Sequence, residues 1–446
     1  MDRSIIIREA NLVNEGQIYV SDLLIRNGRI EKIQSGLSVS YRVEEISGAG
    51  RYLLPGMIDD QVHFREPGLT HKGDIATESR AAAAGGITSY MEMPNTIPPA
   101  LTLELLEEKY ARAQAVSAVN YSFFLGTGLD NLEHIKRMNP EHVCGLKIFM
   151  GSSTGNLLVD NPDYLEEVFR SAPSLIATHC EHEPTVRADL ERLRLEYPDA
   201  DARIHSIARS EAGCYASSSF AVELAKRTGA RLHILHISTE KELSLFQRGG
   251  DLSQKQITAE ACIHHIWFSE EDYARKGNLI KWNPSIKKVS DRSSLQQAIR
   301  DGVIDVIATD HAPHTIEEKA KPYWDAPSGG PLVQHALPAL LELVREGVFT
   351  LPEIVHKTAH APALCFGVQE RGFLREGYKA DLVLVDLDKP FKVQKSNILY
   401  KCGWSPFEGQ EFHSSIEKTW VNGELVWSDG RIQDLVRGER LTFSKR

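Results

Sequence analysis

Cysteine is scarce in this chain. There are six in 446 residues (Cys144, Cys180, Cys214, Cys262, Cys365 and Cys402), and no two are spaced as CxxC. That excludes a zinc–cysteine cluster, and a chain this long needs no disulfide staples. Reduced thiols and a cytoplasmic setting are expected. No apolar run approaches the roughly 18 residues of a membrane-spanning helix. The opening MDRSIIIREANLVNEG lacks the layout of a signal peptide, so secretion is not expected. Basic tracts are also missing. Lys and Arg total 51 against 61 Asp and Glu, a net charge of −10, which argues against a nucleic-acid or anionic-membrane partner. Internal repeats and low-complexity stretches are absent. A composition of 42% hydrophobic and 25% charged residues excludes disorder as the main state.

What is present divides into two patterns. The first fifty residues alternate and turn like small antiparallel strands, with turn signals at Asn14-Glu15-Gly16 and Asn27-Gly28. The last seventy read alike: Ala380–Leu387 is a buried-strand pattern, and Thr419–Asp429 is a hairpin turning at Asn422-Gly423. Between them, short apolar runs alternate with amphipathic stretches. Strands are expected at Gly56–His63, Ile87–Met93, Tyr121–Thr127, Gly145–Met150, Leu175–His179, Leu232–Ile237, Gln256–Ala259 and Asp305–Asp310. Helices are expected at Leu103–Ala115, Tyr164–Ser171, Glu211–Thr228 and Ser293–Arg300. Eight strand–helix alternations fit an α/β fold, a (β/α)8 TIM barrel. A doubly wound sheet is the runner-up, but it usually carries a Gly-rich phosphate turn after its first strand, and here His63-Phe64-Arg65-Glu66 follows instead. The expected division is a barrel over 54–366 and one small β-sandwich domain built from 1–53 and 367–446.

In such a barrel the carboxyl ends of the strands form the working face. The candidate strands end at or near His63, Asn95, Lys147, His179, His236 and Asp310. One histidine at a strand end means little, but imidazoles and a carboxylate converging from several strands make a metal-site pattern. Lys147 sits inside the apolar run Cys144–Met150, where burial drives an ammonium toward the neutral amine. A neutral amine adds CO₂ to become a carbamate, an anionic ligand able to bridge two metals. The other reading is a lysine paired with a carboxylate or a substrate anion. Spacing alone favours that second reading.

The segment from Pro55 to Gly68, PGMIDDQVHFREPG, resembles the first-strand signature of the amidohydrolase superfamily, and of the dihydroorotases in particular. Ala308-Thr309-Asp310-His311-Ala312-Pro313-His314 resembles a second dihydroorotase signature. The likeness continues through Met93-Pro94-Asn95-Thr96, Thr178-His179-Cys180-Glu181, Leu235-His236-Ile237-Ser238-Thr239 and Asn283-Pro284. It implies a metal-dependent hydrolase fold and a zinc enzyme of pyrimidine biosynthesis. Such an enzyme interconverts N-carbamoyl-L-aspartate and L-dihydroorotate, using zinc-activated hydroxide and an aspartate as general base and acid. By position, His63 would hold a first Zn²⁺, His179 and His236 a second, and Lys147 would be the carbamylated bridge. Asp310 would bind metal and move the proton. Arg65, Asn95 and His314 match the groups that hold the substrate carboxylate, and Asn283, Ser328 and Gly329 match further substrate contacts. A guanidinium suits a carboxylate, which it meets with two parallel donors.

The family pattern His-x-His is here Gln61-Val62-His63. Gln61 could ligate weakly through oxygen, the first metal could be lost or loosely held, or the chain could be an impaired relative. Zinc is therefore expected at one or two per chain. The intact Arg65, Asn95, Asp310 and His314 favour an active enzyme. A second departure is Ser285-Ile286-Lys287 after Asn283-Pro284, where the family usually has a proline and then an arginine. Two other functions compete: a hydantoinase- or allantoinase-like cyclic amidase, and a non-catalytic scaffold for aspartate transcarbamoylase. A small-molecule substrate and a homodimer are expected. Blander readings apply elsewhere. His264-His265 would shape the mouth, His311 would orient Asp310, and Cys180 would fill space. His71 and Lys72 would be solvated, Thr315–Lys321 would be an ordinary charged loop, and Asn156–Asp160 a loop over the site.

Overall fold

The computed structural model describes residues 4–151, 157–433 and 438–445. Asn156 of the expected loop lies outside the described residues. The chain opens with β1 (Ile5–Asn14), β2 (Gln17–Arg26), β3 (Arg29–Ile33), β4 (Glu44–Ser47) and β5 (Tyr52–Pro55). The β1–β2 and β2–β3 turns place Glu15-Gly16 and Asn27-Gly28 at positive φ (49° and 81°, 51° and 77°). Such turns match the right-handed twist of the strands they join.

The barrel strands follow: β6 (Met57–Val62), β7 (Ile87–Glu92), β8 (Asn120–Phe123), β9 (Leu125–Gly126), β10 (Leu146–Phe149), β11 (Ile176–His179), β12 (Leu232–Ile234), β13 (Ile257–Cys262) and β14 (Val306–Ala308). All pair in parallel, β6–β7–β8 in one run and β9 through β14 in another. β8 and β9 are one barrel strand interrupted at Phe124, its first half paired with β7 and its second with β10. A parallel bridge from Val62 to His311, with His63 N–H donating to His311 O at 2.7 Å, closes the ring. The strands are buried on both faces, which is why they read as short unbroken runs rather than alternating ones.

All four expected helices form, three of them longer than expected, Leu103–Val116 by a single residue. Asn161 caps Tyr164 N–H, so the helix expected from Tyr164 begins at Pro162, a residue pre-set for the first helical turn. The helix expected from Ser293 begins at Val289. Among the described residues, no helix is long and apolar enough to cross a membrane.

The chain returns to the first sheet with β15 (Leu382–Asp386), pairs β16 (Phe391–Lys392) with β17 (Glu411–Phe412) as a separate two-stranded sheet, and rejoins the first sheet with β18 (Ser415–Val421), β19 (Glu424–Ser428) and β20 (Arg431–Ile432). Strands from both ends of the sequence make one mixed nine-stranded sheet, in the order β20-β19-β18-β15-β5-β1-β2-β3 with β4 beside β1. Its two halves share an apolar core that includes Ile7, Leu23, Ile25, Leu382 and Trp420. The expected sandwich is thus hydrogen-bonded as one continuous sheet. It is locked to the barrel at Asp381, whose carboxylate takes Arg371, Asn120 Nδ2 at 3.1 Å and Asn422 N–H at 2.7 Å.

Candidate active site

A cavity of about 780 Å³ opens at the carboxyl ends of the barrel strands. Gln61, His63, Arg65, Asn95, Lys147, His179, His236, Asn283, Asp310, His314, Ser328 and Gly329 all line it, so every candidate site residue reaches one space. Three of them carry positive φ: Arg65 at 70°, His236 at 41° and Asp310 at 48°. A side chain on left-handed backbone costs on the order of 1–2 kcal/mol. These strand ends turn sharply where they present their functional groups, and the surrounding packing holds them there.

His179 Nδ1 and His236 Nε2 face each other at 3.0 Å. Burial keeps His236 neutral, with His179 and Lys147 adding to the effect, and burial also lowers His179. His179 Nε2 donates to Glu181 Oε2 at 2.9 Å, which leaves Nδ1 as the lone-pair nitrogen. Glu181 Oε2 also accepts from Arg209 at 2.6 Å. Burial pushes the Glu181 carboxyl up, but Arg209 and His179 outweigh it and hold it well below the usual carboxylate range. Two neutral imidazole nitrogens this close fit adjacent ligands of one zinc, which at Zn–N of about 2.05 Å sit roughly 3.3 Å apart. The carboxylate behind His179 is the outer partner that orients such a ligand.

Lys147 comes from the middle of the barrel wall with its Nζ 4.6 Å from the Phe149 ring centre. Burial pushes its amine down to about 8, with Asp310 and Glu260 partly offsetting the shift. Opposite stands His63. Its Nδ1 lies 2.7 Å from Asn95 Oδ1 and its Nε2 3.2 Å from Asp310 Oδ1. Asp310 is braced through its backbone carbonyl by Trp282 Nε1–H at 3.1 Å.

Gln61 does not take the place of an imidazole. Its Nε2 donates to Asp310 Oδ1 at 3.2 Å, and its Oε1 accepts from the Cys262 thiol at 3.5 Å. A carboxylate oxygen only accepts, so the amide nitrogen belongs on the Asp310 side. The residues therefore fit a metal well at His179 and His236 and less completely at His63 and Asp310.

Arg65 brings positive charge to the cavity lining. Arg65 Nε donates to Pro313 O at 3.0 Å, and its Nη2 lies 3.1 Å from His314 Nε2. Burial lowers the Arg65 guanidinium to about 10, which leaves it charged at neutral pH. Burial, with Arg65 and Lys72, holds His314 neutral. Asn283 Oδ1 is buried without a hydrogen-bond partner among the described residues, a free acceptor at the cavity edge. Gly329, at φ 121°, has no room for a Cβ: one would sit 2.5 Å from Ala312 O.

Several expectations need correction. Lys72 is not solvated: it lines the cavity, with Nζ 3.1 Å from His314 Nδ1 and 3.2 Å from Glu318 Oε1. His311 does not orient Asp310. Its imidazole points away, Nε2 3.0 Å from Glu78 and Nδ1 accepting from Leu332 N–H at 2.9 Å. Thr315–Lys321 is not an ordinary charged loop, because the buried Lys319 side chain donates from Nζ to Pro327 O at 2.9 Å and Gly329 O at 2.7 Å, pinning the turn at the cavity rim. His264 is fully buried and stacks on Trp282 at 4.6 Å, while His265 lies 3.1 Å from Pro284 O, so the pair packs behind the cavity wall.

Sequence reasoning missed the Glu181–Arg209 brace, although Glu181 lies two residues after His179. It also missed a cluster beneath the cavity. Among the described residues, Asp60, His233 and Glu260 are the one group of three or more His, Cys and carboxylate side chains whose ligand atoms all lie close enough to share an ion. His233 Nδ1 lies 2.7 Å from Thr258 Oγ1, and its Nε2 faces Asp60 at 3.1 Å and Glu260 at 3.6 Å. Burial opposes its charge, but the two carboxylates prevail and raise it to about 9. A buried imidazolium between two acids accounts for this group.

An eight-stranded parallel barrel with histidines, a lysine and an aspartate at its strand ends, joined to a terminal β-sheet, defines a cyclic amidohydrolase. The chain belongs to the Amidohydrolase family, which it matches over residues 52–426. That family is generally metal-dependent. A dihydroorotase of Halobacterium salinarum is 35% identical over 425 residues, covering 95% of this chain and 96% of that protein. A dihydroorotase of Methanosarcina mazei is 33% identical, covering 96% and 94%. An allantoinase of Bacillus velezensis is 32% identical, covering 96% and 95%. Among solved structures, the L-hydantoinase (dihydropyrimidinase) of Arthrobacter aurescens superposes with a TM-score of 0.92 at 26% identity, covering 99% of this chain and all of that one.

Proposed function

We propose that this enzyme is a dihydroorotase, interconverting N-carbamoyl-L-aspartate and L-dihydroorotate in pyrimidine biosynthesis. One observation carries the reading: the Arg65 and Lys72 cations, both within 3.1 Å of the neutral His314 imidazole, line the same cavity as His179 and His236. A ring bearing a carboxylate needs such cations, and a neutral hydantoin or allantoin ring does not. The dihydroorotase relatives point the same way.

His179, His236 and Lys147, the last as its carbamate, would hold zinc, with His63 and Asp310 offering a further position. Zinc there would lower the pKa of a bound water toward neutrality and polarise the amide carbonyl. Asp310 takes a proton from the attacking water and returns it to the amide nitrogen as the ring C–N bond breaks; ring closure reverses these steps. Arg65 and His314 hold the substrate carboxylate, with the Asn95 amide nitrogen as a third donor. They fix the ring so that its reacting carbonyl lies toward the imidazoles. Asn283 and the Ser328-Gly329 turn meet the ring's remaining polar edge. Catalysis belongs to the barrel, 54–366, and the β unit of 1–53 and 367–446 supports it. A homodimer in the cytoplasm completes the reading.

The test is ring opening of dihydroorotate against hydantoin and allantoin. Dihydroorotate should be preferred by at least about 100-fold in kcat/KM, the worth of a charge-assisted bidentate contact. Preference for a neutral ring would establish the allantoinase- or hydantoinase-like alternative. A chain with no zinc and no turnover that co-elutes with aspartate transcarbamoylase would establish the scaffold.

A further inference from the structure

We propose that Glu92, held by Lys109, is a positioning residue for substrate recognition: its carboxylate fixes the strand-end turn that presents Arg65 to the cavity. The inference rests on the reading of Arg65 as a holder of the substrate carboxylate. Neither Glu92 nor Lys109 lines the cavity, so both act from behind it.

The argument starts where the β6–β7 ladder ends. Val62 lies opposite Glu92, and Met93 N–H donates to Val62 O at 2.9 Å. His63 N–H turns to the other neighbour and donates to His311 O at 2.7 Å. Phe64 N–H comes next, on the β7 side, but there the chain turns away through Pro94. Phe64 is fully buried, its ring 4.4 Å from Tyr90, so water does not reach its backbone either. A buried N–H left without an acceptor is costly. Glu92 supplies one: its Oε1 accepts from Phe64 N–H at 3.0 Å. The side chain thus continues the ladder for one more residue than the backbone can. That residue directly precedes Arg65, whose φ of 70° is left-handed and must be held by its neighbours.

Lys109 holds Glu92 in turn. It reaches in from the helix Leu103–Val116, with Nζ 2.6 Å from Glu92 Oε2 and the two side chains 2% and 0% exposed. Nζ also donates to Met93 O at 3.2 Å and lies 5.0 Å from the Phe123 ring centre. An ammonium has three donors, and these three partners account for them. Burial raises the Glu92 carboxyl, and Lys109 counters that shift. One turn along the same helix, Arg112 repeats the arrangement at the far end of the loop. Its Nε donates to Glu66 Oε1 at 2.7 Å, and Glu66 Oε2 accepts from Ile75 N–H at 3.0 Å. The loop that carries Arg65 is therefore tied to one helix at both ends, each time through a carboxylate that accepts a loop N–H.

The test compares two double variants of the full-length enzyme. Glu92→Gln/Lys109→Met removes both charges but keeps an acceptor for Phe64 N–H, and leaves Met93 O to the new amide nitrogen. Glu92→Met/Lys109→Met removes the acceptor as well. Neither strands a buried charge, so the two differ in the bond to Phe64. The glutamine pair should keep KM for dihydroorotate within about twofold of wild type. The methionine pair should raise it about 10-fold, the worth of an orphaned backbone N–H. In both, kcat should stay within about twofold and the retained zinc should not change, because Arg65 grips the carboxylate alike in the ground and transition states. Exchange of the Phe64 amide is read in enzyme labelled with ¹⁵N-phenylalanine, the signal identified by its loss in Phe64→Leu. It should be slow in wild type and the glutamine pair, and about 10-fold faster in the methionine pair. Equal KM in the two pairs overturns the proposal, and so does a fall in kcat or in zinc at constant KM. If the methionine pair does not fold, wild type decides, because a fast-exchanging Phe64 amide overturns the proposal and a slow one supports it. If wild type does not turn over dihydroorotate, the dihydroorotase reading fails, and amide exchange alone decides whether Glu92 fixes the turn.

Discussion

Replacing Arg209 with methionine should damage both stability and metal affinity. Its guanidinium reaches Glu181 Oε2 at 2.6 Å, and the same oxygen accepts from His179 at 2.9 Å. The Glu181 side chain is 1% exposed and that of Arg209 11%, so the pair is screened little by water. Methionine keeps most of the apolar stem and removes the charge. Breaking a buried pair from one side costs about 3–5 kcal/mol, because the remaining charge stays buried. The change should also alter the pH dependence. The folded Glu181 carboxyl is depressed below its ordinary value near 4.5. It therefore contributes stability that is fully present above about pH 4.5 and lost as pH falls through the lower folded value. In Arg209→Met that acid-side loss should shrink. Without the guanidinium, Glu181 draws a proton onto His179, and zinc affinity should fall about 10- to 100-fold. Urea unfolding of the metal-free chain at pH 7 and pH 4, with a zinc titration at pH 7, reads both quantities. The double variant Arg209→Met/Glu181→Gln should regain most of the stability, since no carboxylate is stranded. A loss below about 1 kcal/mol with unchanged zinc affinity would refute the reasoning, because exposed pairs are worth no more than that.

Three further outcomes are expected. The Lys147 amine, depressed to about 8 in the fold, should make the metal-free chain gain about 3 kcal/mol between pH 8 and pH 10.5, because the unfolded chain binds the extra proton there. Lys147→Met should erase that slope in urea melts, and a slope that persists in the variant would contradict the assignment. Gln61→His should raise the zinc retained after dialysis from one to two per chain, read by elemental analysis. Two zincs already retained by wild type would mean that Gln61 does ligate. Arg371→Leu should cost about 3–5 kcal/mol in urea unfolding, as Arg371 and Asp381 are both buried where the sheet meets the barrel; a change under about 1 kcal/mol would show that this seam carries little.

The barrel was readable in the sequence because its strands are buried on both faces. Continuous runs such as Leu146–Phe149 and Ile176–His179 stand out against amphipathic helices. Polar residues ending such runs, His179 and Asp310 among them, have no packing reason to be there, so they pointed to a site. Other features left weaker traces. Lys72 is one lysine in a polar loop, and only the fold brings His314 to it from 242 residues away. Arg209 meets Glu181 from a different element, and spacing in sequence says nothing of that meeting. The Thr315–Lys321 stretch looked like a solvated loop because charge usually means solvent. Lys319 breaks that rule by spending its donors on backbone carbonyls, a pattern that depends on where the 327–329 turn lies. His311 misled for the opposite reason: adjacency to Asp310 suggested cooperation, yet neighbouring residues point apart at the end of a strand.

The β5–β15 pairing has a consequence for how the chain is made. β5 is finished early in synthesis, but the strand it pairs with, Leu382–Asp386, comes after the whole barrel. Roughly 330 residues separate the two, so at about 5–20 residues per second the first strands emerge some 15–65 s before their partner. During that interval β1 and β5 present apolar faces and an unpaired strand edge, a state prone to mispairing with other chains. Slowing translation within the barrel would lengthen the exposure without altering a single residue. The yield of folded enzyme should therefore depend on the tempo of its synthesis and on chaperones that shield a waiting edge.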